Sequence, residues 1–265
     1  MVTIDADRCI GCFRCVEDCI VKVLQRGEKR PFIAPGNEKY CIGCQHCLAV
    51  CPAGAVSVDG VTPEMTAPVG QGASPEAMLE SLRRRRSIRR FKQQEVDGAT
   101  LEKLIDALRY APTGCNDHRL RFAVVRTRTE MDEFRALNRK QLNFLLRSGL
   151  LKLFYPKISR YLDDLDRDLV FRGAPHMIVA LTPKNAPCAA VDPVIALAQF
   201  ELYAQSLGIG CCWCGFAFYA IRFSRAMKKL LAVPRDYRIG YVLLFGYPDV
   251  SYCRTTLPRK VKVTK

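Results

Sequence analysis

Histidine is scarce in this chain of 265 residues: His46, His118 and His176 are the only three, and they show no metal-ligand spacing. A metal hydrolase or a Ser–His–Asp hydrolase therefore finds no support in the sequence. Long apolar runs are missing too. The best candidate, Val191 to Trp213, is interrupted by Asp192, Pro193, Gln199, Glu201 and Gln205, whereas a membrane span needs roughly 18–20 uninterrupted apolar residues. Met1 to Arg8 carries Asp5 and Asp7 and no apolar stretch. No secretory leader and no membrane span are therefore expected, and the expected location is cytoplasmic. With 49% hydrophobic and 25% charged residues, the composition sits near globular averages. Disorder, collagen and coiled coil are excluded, and the length suits one or two domains.

Acidic residues are in short supply, and unevenly so. Lys and Arg number 41 against 26 Asp and Glu, a formal charge of +15. Residues 1–60 hold seven basic and seven acidic side chains, so the whole excess lies in residues 61–265. Cysteine is distributed the opposite way: eight of the 14 precede residue 52. Charge and cysteine thus belong to different parts of the chain, which predicts a small cysteine-rich module joined to a larger basic one.

Cys9, Cys12, Cys15 and Cys19 are spaced x2, x2, x3, and Cys41, Cys44, Cys47 and Cys51 repeat that spacing 32 residues later, with Pro52 following. Both runs begin Cys-Ile-Gly-Cys, an internal duplication. Three thiolates on one tight loop suit three irons of an iron–sulfur cube, and the fourth points away along the next segment. Zinc would prefer two CxxC pairs further apart, and a disulfide framework fits poorly without a secretory leader. The segment resembles a bacterial-type ferredoxin domain over residues 1–60. In two-cluster ferredoxins the fourth cysteine of each run ligates the other cluster. That resemblance implies Cys9, Cys12, Cys15 and Cys51 around one [4Fe–4S] cluster, and Cys41, Cys44, Cys47 and Cys19 around the second. Ile20 stands where the usual pattern has proline, which is not a ligand.

Residues 61–75, rich in Pro, Gly and Ser, read as a linker. Ser74-Pro75-Glu76 then gives a cap, a first-turn proline and a first-turn acid, predicting a helix towards Arg84. A second helix is expected from Thr100, with Leu101, Leu104, Ile105 and Leu108 on one face. Phe122–Val125, Met177–Leu181 and Tyr241–Phe245 read as buried strands. Asp192-Pro193 opens a further helix, apolar nearly all round and ending before Gly208, which must be buried in a core or at a subunit interface. The fold class expected is α+β, with a sandwich over residues 76–265.

Arg83-Arg84-Arg85-Arg86-Ser87-Ile88-Arg89-Arg90-Phe91 places six arginines in eight residues. Alone, such a run suits a nucleic-acid or phosphate patch, or a solvated face. Ala111-Pro112-Thr113-Gly114-Cys115-Asn116 follows, then Gly173-Ala174-Pro175 before an apolar strand. Leu207 to Phe216, Phe245-Gly246-Tyr247-Pro248 and Pro258-Arg259-Lys260 complete the order. With these motifs the chain resembles the nitroreductase family of FMN enzymes over residues 75–265. The resemblance implies that Arg85, Arg86, Ser87 and Arg89 hold FMN, with an arginine near the ring edge, and that Cys214 and Gly215 offer backbone groups there. It implies that Arg259 and Lys260 close over the phosphate. Pro112, Thr113 and Asn116 would approach the flavin from the second subunit of a homodimer. Asn116 also reads as a turn residue, and Trp213 and Phe216 as core packing.

The chain departs from that family at Asn116-Asp117-His118-Arg119-Leu120, where many relatives continue Asn-x-Gln-Pro-Trp, and at Cys214, where a relative can carry a carboxylate. Cys211, Cys212 and Cys214 read either as small buried residues or as a redox set. The basic, apolar stretch from Arg139 to Arg160 reads either as a lid over a pocket or as a membrane-surface helix. Oxidised cubes with their thiolates are anionic, so the loaded first module should be drawn to the cationic second one. The function expected is an iron–sulfur flavoprotein oxidoreductase: two [4Fe–4S] clusters pass electrons from a low-potential donor (ferredoxin-like or NAD(P)H) to FMN, which reduces a small nitro, quinone or enone acceptor. No nucleic-acid partner is expected of it. The alternative is an electron-transfer or redox-sensing protein without substrate chemistry, associated with nucleic acid.

Overall fold

The computed structural model describes residues 1–148 and 168–264. The chain divides into two compact units, Met1–Gly72 with Cys115–Asp117, and Ala73–Gly114 with His118–Lys265.

Elements of the first unit are short: β1 (Val2–Ile4), α1 (Arg14–Glu17), β2 (Leu24–Arg26), β3 (Pro31–Ile33), α2 (His46–Ala49) and β4 (Val56–Val58). β1 pairs antiparallel with β4, and β2 with β3. The core is correspondingly small, with Val2, Leu24, Leu48, Val56 and Val58 packed around Cys15 and Cys47. The duplication read from the sequence recurs in the backbone. Gly11 and Gly43 adopt φ of 68° and 62°, and Phe13 and Gln45 enter α1 and α2 at φ of 58° and 60°. At Gly11 a Cβ would fall 2.4 Å from the Lys29 carbonyl oxygen, so only glycine lets that cysteine loop curl there.

In the second unit α3 (Pro75–Arg84) begins as expected, with Ser74 Oγ accepting from the Ala77 N–H at 3.2 Å. α4 (Gly98–Ala107) starts before Thr100, because Asp97 is its cap: Asp97 Oδ1 accepts from the Thr100 N–H at 2.9 Å. There follow β5 (Arg121–Val125), α5 (Arg128–Arg147), β6 (His176–Pro183), α6 (Asp192–Ser206), β7 (Gly210–Trp213), α7 (Gly215–Phe223), α8 (Arg225–Leu230) and β8 (Tyr237–Gly246). The sheet order is β5–β6–β8–β7, antiparallel throughout.

β6 is buried along its whole length because helices cover both faces of the sheet. Met177, Val179 and Leu181 pack with Phe134 of α5 and Ile221 of α7, while Ile178 and Ala180 pack with Leu104 of α4 and Phe200 of α6. The register slips beside Gly240, since Ala180 pairs with Tyr241 but Leu181 with Ile239. That bulge lets Ile239 and Val242, of opposite parity, share one face. A Cβ at Gly240 would lie 2.4 Å from Pro193 Cβ, so the bulge also seats the start of α6 against the sheet.

α6 is the helix expected to be buried all round. Leu197, Phe200 and Ala204 are buried, but Val194 and Tyr203 remain 40% and 39% exposed. The single chain covers one side of it only.

Candidate functional site

In the first unit one cavity is lined by Cys9, Cys12, Cys15 and Cys51. Three cysteines of the first run thus meet the last cysteine of the second, the combination that the ferredoxin pattern expects. Among the described residues no three His, Cys, Asp or Glu side chains close on a single-ion site; these four thiols stand around a space instead. The cavity is small, about 10 Å³, so it is the donor chemistry that fits an iron–sulfur cube: four soft sulfurs facing one another. Cys51 Sγ also accepts from the Ala55 N–H at 3.3 Å. Of the second set, burial pushes the Cys47 thiol up to about 11, with Cys44 and Cys41 near enough to add to the effect.

In the second unit the arginine run lies along β7. Ser87 bridges Cys211 in parallel, and the Ile88 N–H donates to the Cys211 carbonyl at 2.8 Å. Ile88 is buried against Gly210, where a Cβ would come within 2.4 Å of Ile88 Cγ1. Arg84, Arg85 and Arg86 border a small cavity with Gln205 and Tyr252. Two of these guanidinium groups have internal partners. Arg85 Nη1 lies 3.3 Å from Glu201 Oε1, and Arg86 Nη1 donates to the carbonyls of Arg83 and Arg85 at 2.7 and 2.6 Å. Glu201, 7% exposed, also accepts from Trp213 Nε1 at 2.8 Å, so one buried carboxylate ties the arginine run to the end of β7.

Beyond that end lies a larger cavity of about 600 Å³. Trp213, Phe216, Tyr219 and Leu142 give it apolar walls, and Cys214 and Gly215 line it where α7 begins. Two buried polar atoms of its lining, Arg172 Nε and Gln141 Oε1, have no hydrogen-bond partner among the described residues. Arg172 and Arg89 both draw the Cys212 thiol downwards, placing the two cations beside β7, but burial outweighs them and its pKa is raised. Burial likewise raises Cys214, and raises Cys211 well above the usual thiol range. Cys214 Sγ donates to the Val170 carbonyl at 3.0 Å and caps α7 by accepting from the Ala217 N–H at 3.4 Å. The trio therefore consists of protonated, buried thiols, which suits packing better than redox exchange.

Other expected residues are more dispersed. Thr113 Oγ1 accepts from the His118 N–H at 3.0 Å, and Asn116 Nδ2 donates to the Ile42 carbonyl at 2.9 Å. Cys115, Asn116 and His118 have φ of 56°, 55° and 45°, so the turn reading of Asn116 holds. Pro112 is exposed beside them. Arg259 and Lys260 lie in an exposed C-terminal stretch and are not gathered with Arg85. The basic stretch begins inside α5, where Gln141, Leu142 and Leu145 wall the large cavity; residues 149–160 lie outside the described residues. Among the described residues no helix is long and apolar enough to cross a membrane.

Glu201, Arg172 and Gln141 escaped the sequence reading. Glu201 had a visible signal, an acid in the middle of a mostly apolar helix. Arg172 only adjoins the Gly173-Ala174-Pro175 motif, and nothing in the sequence marks Gln141.

An antiparallel sheet between two helical layers, with arginines laid along its last strand and an apolar cavity beyond, defines an α+β cofactor-binding domain. Residues 82–247 match the nitroreductase family, and residues 8–56 match a 4Fe-4S dicluster domain. The chain belongs to the nitroreductase family of FMN-dependent oxidoreductases and carries an N-terminal iron–sulfur domain. It is similar to a nitroreductase of Desulfitobacterium hafniense solved with bound FMN: 27% identity and a TM-score of 0.57, over 71% of this chain and 96% of that one. It is also similar to the iodotyrosine deiodinase of Thermotoga neapolitana, 25% identical over 65% of this chain and 89% of that protein. Its first unit is similar to a ferredoxin of Methanothermococcus thermolithotrophicus, 38% identical over 22% of this chain and 95% of that protein.

Proposed function

We propose that this chain takes electrons from a low-potential donor, ferredoxin-like or NAD(P)H, through two [4Fe–4S] clusters to FMN, and reduces a small organic acceptor of nitro, quinone or enone type. The observation that carries the flavin half is the pair of buried atoms, Arg172 Nε and Gln141 Oε1, without a partner among the described residues, in one aromatic-walled cavity. Buried polar groups call for partners. A flat ring with acceptors along one edge and an imide N–H satisfies both, and isoalloxazine has that N1–C2=O edge and that N3–H. Gly215 supports the same reading. A Cβ there would meet only Tyr241 Oη at 3.7 Å, so the fold itself does not require glycine at this position. Close approach of a ring to the backbone would.

When bound, FMN accepts electrons singly and releases them in pairs, as hydride, to an organic acceptor. Arg172 would hold a fixed positive charge against the ring edge that becomes negative on reduction. Arg85, Arg86, Ser87 and Arg89 would hold the phosphate and polyol, with Arg85 steadied by Glu201. Arg259 and Lys260 would close on the phosphate, and Cys214 and Gly215 would present backbone groups to the ring. Pro112, Thr113 and Asn116 would come from the second subunit, and the exposed Val194 and Tyr203 of α6 support a homodimer. Cys9, Cys12, Cys15 and Cys51 would hold one cluster, and Cys41, Cys44, Cys47 and Cys19 the other.

Oxygen-free purification tests the reading. The chain should carry about eight irons and eight sulfides and about one FMN. Cys44→Ala should slow flavin reduction by a low-potential donor at unchanged flavin content, and Arg172→Met should lower flavin content at unchanged iron. Protein without flavin, or a Cys44→Ala variant reduced at the wild-type rate, would refute it.

A further inference from the structure

The second unit has another concavity, of about 380 Å³, which the reading above does not use. Lys184, Arg222, Lys228, Arg235 and Arg238 line it, contributed by the residue after β6, the end of α7, α8, the turn before β8 and the start of β8. Four of the five cations come from residues 222–238, and Lys184 joins them from earlier in the sequence. No carboxylate is among its described lining residues, and among the described residues none of the five forms an ion pair. Asp236, between Arg235 and Tyr237, is not part of the lining; its carbonyl accepts from the Lys184 N–H at 2.9 Å. The contrast with the cavity at Arg84–Arg86 is direct, since Glu201 supplies a negative charge there.

Guanidinium groups cannot shed their protons to relieve crowding. Four of the five cations are solvent-exposed and Lys228 is half-buried, so their mutual repulsion is screened, but five like charges around one concavity still favour the entry of an anion. The recess is also shaped. Val233, Pro234 and Ile239 give it an apolar floor, and the Phe223 and Tyr237 rings line it, Phe223 stacked with Tyr219 and Tyr237 covered on one face by Arg121. Arg121 stacks over Tyr237 at 4.8 Å, and Arg222 lies 5.7 Å from the Phe218 ring centroid, so aromatic neighbours help to place cations beside the rim. Phe223 lines both this recess and the 600 Å³ cavity, so the two share a wall.

We infer that this recess binds the diphosphate of a nucleotide ligand, the phosphates on the five cations and the nucleoside against the aromatic rings. Several forked donors around one concavity suit the multiple oxygens of a phosphate chain, and an apolar floor with aromatic walls suits a base. The site requires neither the flavin nor the clusters for its chemistry, so its test is separable from theirs.

The test is calorimetric titration of the flavin-loaded, full-length protein with adenosine 5′-diphosphate and, separately, with inorganic pyrophosphate. Adenosine diphosphate should bind with a stoichiometry near one and more tightly than pyrophosphate. Arg222→Gln/Arg238→Gln, both at exposed positions, should weaken adenosine diphosphate about tenfold and leave flavin content unchanged. Lys103→Gln/Arg109→Gln removes the same net charge elsewhere and should leave the affinity as it was. Absence of binding would overturn the assignment, as would equal losses in the two double variants, which would reduce the effect to overall charge. Pyrophosphate binding as tightly as adenosine diphosphate would overturn the nucleoside part. Should the protein carry no flavin, the titration still reports on the recess alone.

Discussion

Replacing Glu201 probes the join between the arginine run and the cavity. Its carboxylate accepts from Trp213 Nε1 at 2.8 Å and faces Arg85 Nη1 at 3.3 Å, with the Glu201 side chain 8% and the Arg85 side chain 40% exposed. Glu201→Leu keeps the volume roughly constant and leaves the indole N–H without an acceptor. A hydrogen bond to a charged group contributes about 1.5–3 kcal/mol. The Arg85 ion pair is half open to solvent, so it adds only about 0.5–1 kcal/mol. Glu201→Leu should therefore destabilise the second unit by about 2–4 kcal/mol. Glu201→Gln, which retains an oxygen for Trp213, should cost only about 0.5–1 kcal/mol. Trp213 is the chain's only tryptophan, so urea unfolding followed by its fluorescence reads this unit directly. A cycle with Arg85→Met isolates the ion-pair share. If Glu201→Leu stayed within about 0.5 kcal/mol of wild type, or Glu201→Gln matched it, the assignment of most of the energy to the indole bond would be wrong.

Two more outcomes follow from particular residues. Cys51→Ala should remove the cluster in the cavity of Cys9, Cys12 and Cys15 while leaving the other assembled; iron counts and low-temperature electron paramagnetic resonance would read it, and loss of the second cluster alone would contradict the cross-ligation. His176 is buried, its Nε2 accepts from the Val96 N–H at 2.8 Å, and burial lowers its pKa below the usual 6.5. Its neutral form is held in the folded state, so its contribution to stability is full above the unfolded pKa. It is lost as pH falls from there towards the lowered value, with a slope of at most about 1.4 kcal/mol per pH unit. His176→Gln should flatten that acid-side slope in thermal melts between about pH 7 and pH 5, and an unchanged slope would assign the dependence elsewhere.

The cysteine cavity was legible because its information is local: a spacing and its repeat name the donors, and the fold has only to bring Cys51 to the first loop. The helix at Ser74 and strands β5, β6 and β8 were legible for similar reasons, a cap in one case and apolar runs in the others. β7 was not read as a strand, since Gly210-Cys211-Cys212-Trp213 has neither β-branched residues nor alternation. The start of α4 moved because Asp97 competes successfully for the cap. The large cavity was hardest to foresee. Its two atoms without a partner among the described residues come from Gln141 and Arg172, on separate elements, and a sequence does not record which buried polar atoms end without partners. Only motif order points to Arg259 and Lys260, and a single chain leaves them exposed.

β7 is the last strand of its sheet, and its outer border would otherwise present bare N–H and C=O groups to solvent. The segment around Ser87 and Ile88 lies against that border and takes up the Cys211 carbonyl. An open border of this kind is a template for aggregation, and covering it is a recognised protection. The stretch assigned to ligand binding thus doubles as a hem on the sheet. Substitutions that loosen it should be felt first as poor solubility, before any change in affinity can be measured.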